Sequence, residues 1–213
     1  MQVTKWGHAC ARLEKDGQSV VIDPGELTEP EALDGADAVL ITHEHWDHFD
    51  EGRLRSALEA DPALHVWTIR SVAERLTGHR DRVTVVGDGD TFTAAGFVVE
   101  AHGTLHGEIH PAVPRSANTG FFLDGSVFHP GDALTVPDAP VDTLMLPVHT
   151  PWLDVADVVD YVAEVAPRTT MGVHDGLLRE PGAVEYGRII AALQPRIPYR
   201  LLAPGETAEL ATL

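Results

Sequence analysis

The sequence predicts an α/β fold built in layers, and two observations predict it. Short strand-like apolar runs alternate along the chain with stretches at helical spacing. Each polar, histidine-rich cluster (43–48, 102–110, 129–132, 149 and 174–175) falls at the end of such a run, where a rigid sheet would aim it. The chain's 213 residues are enough for one domain with a substantial core.

Taken in order, residues 3–6, 9–14 and 19–22 read as a meander broken at Asp16-Gly17, a strong hairpin signal. Residues 38–41, "AVLI", are continuously apolar, as expected of a strand covered on both faces. "FDEGRLRSALEA" then carries Leu54 and Leu58 at helical spacing and stops before Pro62. Strand 65–69, helix 71–76 and strand 83–86 follow. The second half has candidate strands at 97–101, 119–123, 127–128, 143–148 and 169–173. Between the last two, "LDVADVVDYVAEVA" places Val155, Val158, Val159 and Val162 on one helical face. A final helix is expected over 183–193. No low-complexity linker or short repeat interrupts this order.

Composition narrows the function classes. Thirty-three acidic against fifteen basic side chains give a formal charge of -18, which repels phosphate backbones and anionic lipid. Nucleic-acid and membrane partners are therefore not expected, and a small-molecule substrate is. No apolar run approaches the roughly 18–20 residues of a membrane span. The opening "MQVTKWGHACARLEK" lacks the pattern of a signal peptide, so a cytoplasmic location is expected. Cys10 is the sole cysteine, which excludes an intrachain disulfide and a cysteine zinc knuckle. Any metal must be held by nitrogen and oxygen, and twelve histidines point that way. Oligomeric state is not readable.

The densest cluster is "THEHWDHFD", residues 42–50. Side chains two apart on an extended segment point the same way, so His43 and His45 can chelate one ion together. Asp47 and His48 come where the chain turns into the next helix and can face a second ion. The competing reading is a helix-capping turn, with Asp47 or Asp50 as the cap and the histidines merely exposed. Four ligand-capable residues in this order favour the metal.

"HEHWDH" after "AVLIT" resembles the signature of the metallo-β-lactamase-fold superfamily. The resemblance runs from "WGHA" to "VHDG", nearly the whole chain, and implies one domain over 1–213: an αββα four-layer sandwich, two mixed β-sheets flanked by helices. "GHACARLE" and "VVIDPG" resemble the compact hydrolase branch that includes a sugar-phosphate lactonase. "FHPGDAL" resembles the aspartate motif and implies Asp132 as a ligand bridging both ions; "MGVHDG" implies His174 as the last histidine. For the third motif, "EAHGTLHGEIHP", His106 is the chosen ligand and His102, at the strand end, the alternative. The resemblance then implies that His43, His45 and His106 hold the first ion and Asp47, His48 and His174 the second. The expected cofactors are two divalent ions, zinc first, with manganese or iron as alternatives. Asp47 is the candidate catalytic group, orienting a metal-activated water or taking its proton. Position 45 is a glutamate in the flavodiiron relatives, so His45 argues for hydrolysis over oxygen reduction.

Around this set the sequence leaves roles open. Asp23-Pro24 reads as a turn supporting the site. His8 and His110 have both a site-lining and a structural reading. His149 and Trp152 can line a substrate pocket or simply pack, and His129 reads as structural. The expected function is a metal-dependent hydrolase acting on a small ester, lactone or phosphoester. Two other readings share the fold: a mononuclear iron dioxygenase acting on a thiol or persulfide, and a nuclease, which the charge opposes. β-Lactam hydrolysis is not favoured, because a secreted antibiotic-degrading enzyme would need an export signal.

Overall fold

A computed structural model describes residues 1–213. Two seven-stranded mixed sheets lie at its centre. The first is built from β1 (Gln2–Lys5), β2 (Ala11–Lys15), β3 (Gln18–Ile22), β4 (Ala38–Ile41), β5 (His65–Thr68), β6 (Val83–Val85) and β14 (Thr207–Glu209), in the order β14-β1-β2-β3-β4-β5-β6. The second contains β7 (Thr91–Ala94), β8 (Phe97–His102), β9 (Gly120–Leu123), β10 (Val127–His129), β11 (Thr143–Pro147), β12 (Thr169–Val173) and β13 (Tyr199–Arg200), in the order β13-β12-β11-β10-β9-β8-β7. Each sheet joins an antiparallel meander to a parallel set; helices lie in most of the parallel connections, while β10 reaches β11 through a helix-free loop. The helices are α1 (Glu51–Ala60), α2 (Arg70–Arg75), α3 (Val155–Val165) and α4 (Glu180–Leu193).

Alternation along the strands makes the layers. Val20, Ile22, Ala38 and Leu40 face Phe97, Val99, Phe121 and Met145 of the other sheet, forming the inner core. Their neighbours Val21, Val39, Ile41 and Val66 face outward and are covered by Leu54, Leu58, Val72 and Leu76 of the first two helices or their ends. On the far side, Phe122, Phe128, Leu144 and Leu146 are covered by Val158, Val159, Tyr161 and Val162 of α3 and Ile190 of α4. This is the four-layer αββα sandwich. No helix is long and apolar enough to cross a membrane.

Five elements depart from expectation. The β7–β8 hairpin turns through Ala95 (φ 45°) and Gly96 (φ 75°), the same left-handed pair seen at Asp16-Gly17 and Asp124-Gly125. Alanine is a poor marker for that turn, so β7 carries no local signal. β14 and β13 are three- and two-residue edge strands whose partners are distant in the chain. On α3, Val155 is only half-buried and Tyr161 joins the covered face instead, its hydroxyl donating to Thr135 O at 2.6 Å. α4 begins earlier than expected because Pro181, which looks like a breaker, sits in the first turn, where its fixed φ suits a helix.

Candidate metal centre

The turn after β4 is pinned from below. Glu26 N donates to Trp46 O at 2.9 Å and Asp50 N to Pro24 O at 3.2 Å, lacing residues 42–50 onto the segment that follows β3. Gly25 is obligatory there, because a Cβ would lie 2.0 Å from the Asp47 carbonyl oxygen. Asp50 caps α1 by accepting from Arg53 N at 3.0 Å, so the capping role falls to Asp50 and leaves Asp47 free to face the cluster.

Hydrogen bonds fix how each imidazole is presented. Asp23, fully buried and at φ 49°, accepts from Thr42 N at 2.7 Å, Thr42 Oγ1 at 2.6 Å and His48 Nδ1 at 2.7 Å. Thr42 spends its hydroxyl proton on Asp23, so at 2.9 Å from His43 Nδ1 it must accept. His106 Nδ1 donates to Gly107 O at 2.7 Å, and His174 Nδ1 to His149 O at 2.7 Å. Four histidines are thereby tied at Nδ1, and all turn Nε2 into one buried space. His43 Nε2, His48 Nε2, His106 Nε2 and Asp132 Oδ1 have no hydrogen-bond partner there. Orphaned lone pairs in a buried site are costly, and a bound cation satisfies them.

The side chains form two groups with a carboxylate between them. His43, His45 and His106 place one ligand atom each within 4.8 Å of one another, as do Asp47, His48 and His174 together with His8. Asp132 turns Oδ1 toward His48 Nε2 (3.2 Å) and His174 Nε2 (3.3 Å), and Oδ2 toward His106 Nε2 (3.3 Å). Its backbone is held by Asn118, whose Oδ1 accepts from Asp132 N at 3.0 Å, and Trp152 Nε1 donates to Asp132 Oδ2 at 3.3 Å.

His8 differs from the others. Its Nδ1 accepts from Gly176 N at 3.1 Å, so a neutral ring carries its proton on Nε2. That Nε2–H faces Asp47 Oδ2 at 3.2 Å and His174 Nε2 at 3.2 Å. Although its position groups it with the ligand-capable residues, its tautomer makes it a donor to Asp47 and not an electron-pair donor to a cation. The His8 carbonyl also accepts from His174 N at 2.9 Å, and the buried Lys5 Nζ donates to Asp175 at 2.5 Å. The two loops clamp each other.

Electrostatics match a cation site. Burial holds His43 well below its usual value, with His48 adding to the effect, and burial and His106 lower His45. Burial would also lower His174, but the carboxylates of Asp132 and Asp47 outweigh it and raise it to about 9. His48, likewise buried, is raised by Asp132 and Asp23. Asp132 stays ionised despite burial because His48 and His174 face it, and Asp47 because His174 and His8 bond to it. The carboxylates that raise His48 and His174 would equally favour a bound cation at this place.

The structure separates the expected residues. His102 lies outside both groups, against Phe122 and Phe128, with its Nε2 3.7 Å from Glu100. His110 is exposed, and its Nδ1 accepts from Ala112 N. His129 is structural, bridging Ala9 O and Gly131 N. His149 enters through its carbonyl, while its ring meets Tyr186. Asn118 holds Asp132 through a contact the sequence did not announce, while Thr42, inside the first motif, and Trp152 gain specific partners in Asp23 and Asp132.

Fold and site together define a metal-dependent hydrolase of the metallo-β-lactamase fold. The chain belongs to the family described as the beta-lactamase superfamily domain, whose model matches residues 2–174. The protein Rv0786c of Mycobacterium tuberculosis is 35% identical over 196 residues, covering 89% of this chain and 91% of that one. A UPF0173 metal-dependent hydrolase of Aeropyrum pernix is 23% identical over 242 residues, covering 98% and 97%. Among solved structures, Igni18, a metallo hydrolase of Ignicoccus hospitalis, superposes with a TM-score of 0.73 at 20% identity, covering 97% of each chain.

Proposed function

We propose that the chain holds two divalent ions, zinc first among them, and hydrolyses a small-molecule ester, lactone or phosphoester. One observation carries the dinuclear reading: Asp132 offers Oδ1 to one group of imidazoles and Oδ2 to the other. In this reading His43, His45 and His106 hold the first ion, Asp47, His48 and His174 the second, and Asp132 bridges them. The all-nitrogen-and-oxygen donor set suits zinc, manganese or iron. Ions held there would supply Lewis acidity toward a carbonyl or phosphoryl oxygen and would lower the pKa of a bound water toward about 7. Asp47, fixed from one side by His8, would orient the attacking water and take its proton. The surface charge of -18 supports a small solute over a nucleic acid as substrate.

Elemental analysis of purified protein by mass spectrometry, beside turnover of ester, lactone and phosphoester panels, tests this. Two ions per chain, lost together with turnover in Asp132→Ala, is the expected result. A single iron per chain with oxygen uptake on thiols would replace it with the oxygenase reading.

A further inference from the structure

Next to the centre, on the side of His106, lies a cavity of about 300 Å³. Leu105, Ala133, Leu134 and Trp152 give it apolar walls, Arg115 is its one charged residue, and no carboxylate lines it. Two lining residues join it to the centre. Gly107 N donates to Asp132 O at 2.7 Å, and the Trp152 ring sits 5.5 Å from that of His106 while its Nε1 reaches Asp132. The walls are fixed by close packing, since a Cβ on Gly107 would strike the Trp152 ring at 2.2 Å.

Arg115 is anchored but not neutralised. Its Nε donates to His106 O at 2.6 Å, which holds the guanidinium at the edge of the cavity. Arg115 is exposed and, like Arg70, Arg80, Arg82, Arg179 and Arg196, forms no ion pair; among these six it is the one that lines this cavity. An unpaired planar cation at an apolar-walled cavity is the arrangement that recognises a carboxylate or phosphate on a molecule with an apolar body.

We infer that this cavity is the subsite for an anionic group of the substrate, with Arg115 its anchor and Trp152 and Leu105 the surface for its apolar part. Resting on the hydrolase reading above, this narrows the substrate to a small amphipathic ester or lactone bearing a carboxylate or phosphate remote from the scissile bond. The volume, at the low end of ligand pockets of roughly 300–1,000 Å³, limits that part to a single ring or short chain.

The test is a fluorine NMR titration of zinc-loaded wild type and Arg115→Gln with three probes: 4-(trifluoromethyl)phenylacetate, its neutral amide, and 4-(trifluoromethyl)benzylphosphonate. Either acid can also touch zinc, so the readout is the difference between the two proteins, with zinc content measured in both. Loss of a charge-assisted bond predicts about tenfold weaker binding of the acids to Arg115→Gln, with the amide unchanged. Arg115→Lys should recover part of the loss. The acid that loses more identifies the anion class. Equal weakening of acid and amide, no effect of the substitution, or no binding of either acid to wild type overturns the subsite. Turnover is not needed, so a protein that hydrolyses no ester yet shows the Arg115 effect would refute the hydrolase reading alone.

Discussion

Replacing Asp23 with Asn changes one oxygen for an amide and should disable metal binding without touching a proposed ligand. Asparagine tolerates the left-handed backbone that Asp23 adopts at φ 49°, so the turn itself survives. Its carbonyl can still accept from Thr42 N, but its amide then confronts two other donors, Thr42 Oγ1 and His48 Nδ1. If Thr42 reverses to accept from the amide, its hydroxyl proton is left without Asp23 and its contact with His43 Nδ1 is reoriented. Two bonds to an ionised acceptor, each worth about 1.5–3 kcal/mol, are lost, so the metal-free protein should be about 3–6 kcal/mol less stable. Misorienting a liganding histidine costs about 10–100-fold in metal affinity, and here His43 and His48, one from each group, are both affected. Competition against a fluorescent zinc chelator measures the affinities, and urea unfolding in EDTA the stability. Zinc affinities within twofold of wild type would refute the relay from Asp23 to the two imidazoles.

Three further outcomes are expected. On the proposed two-ion reading, His8→Ala should weaken an ion near Asp47 about tenfold while sparing one at His43, His45 and His106, and His8→Gln, which keeps an N–H near Asp47, should restore it; chelator titration measures both. In metal-free protein, His174 has a folded pKa of about 9, above its ordinary 6.5, so its contribution to stability is complete below about pH 6.5 and lost as pH rises through 9. The EDTA-treated melting temperature should fall across that window and the zinc-loaded one should not; buried neutral His43 and His8 act below pH 6.5 and do not mask it. Gly25→Ala should cost about 3 kcal/mol or more, since its Cβ meets backbone of the metal turn, and the soluble fraction should carry less zinc than wild type by elemental analysis.

What the sequence made legible was local. "THEHWDH" could be read because its ligand-capable residues follow strand alternation within one turn, and "AVLI" because a fully covered strand is apolar throughout. The place of His102 outside the cluster follows from strand alternation, which the choice of His106 by its Gly-x-x-His turn did not use. Phe97, Val99 and Ala101 are buried while Val98 is exposed and Glu100 half-buried, so His102 falls in register with the outer face. His8 was not readable, because its contacts with Asp47 and His174 span 39 and 166 positions and depend on two loops meeting. Asn118 supports Asp132 through a side chain that no pattern distinguishes from any other loop asparagine. β14 closes the first sheet from the far end of the chain, and a three-residue edge strand with two exposed positions carries almost no periodic signal.

The histidines come from both sheets. His43, His45 and His48, with Asp23 and His8 behind them, issue from the first sheet; His106, Asp132 and His174 issue from the second. Polar bonds already cross the seam at this end: Thr119 N to Thr42 O, His174 N to His8 O, His129 to Ala9 O, Gly176 N to His8 Nδ1 and Lys5 to Asp175 among them. An ion seated between the groups therefore works as a rivet through two plates. Emptying the centre would loosen the whole upper seam as well as end turnover, so metal starvation should expose this protein to proteolysis first along the joint between its sheets.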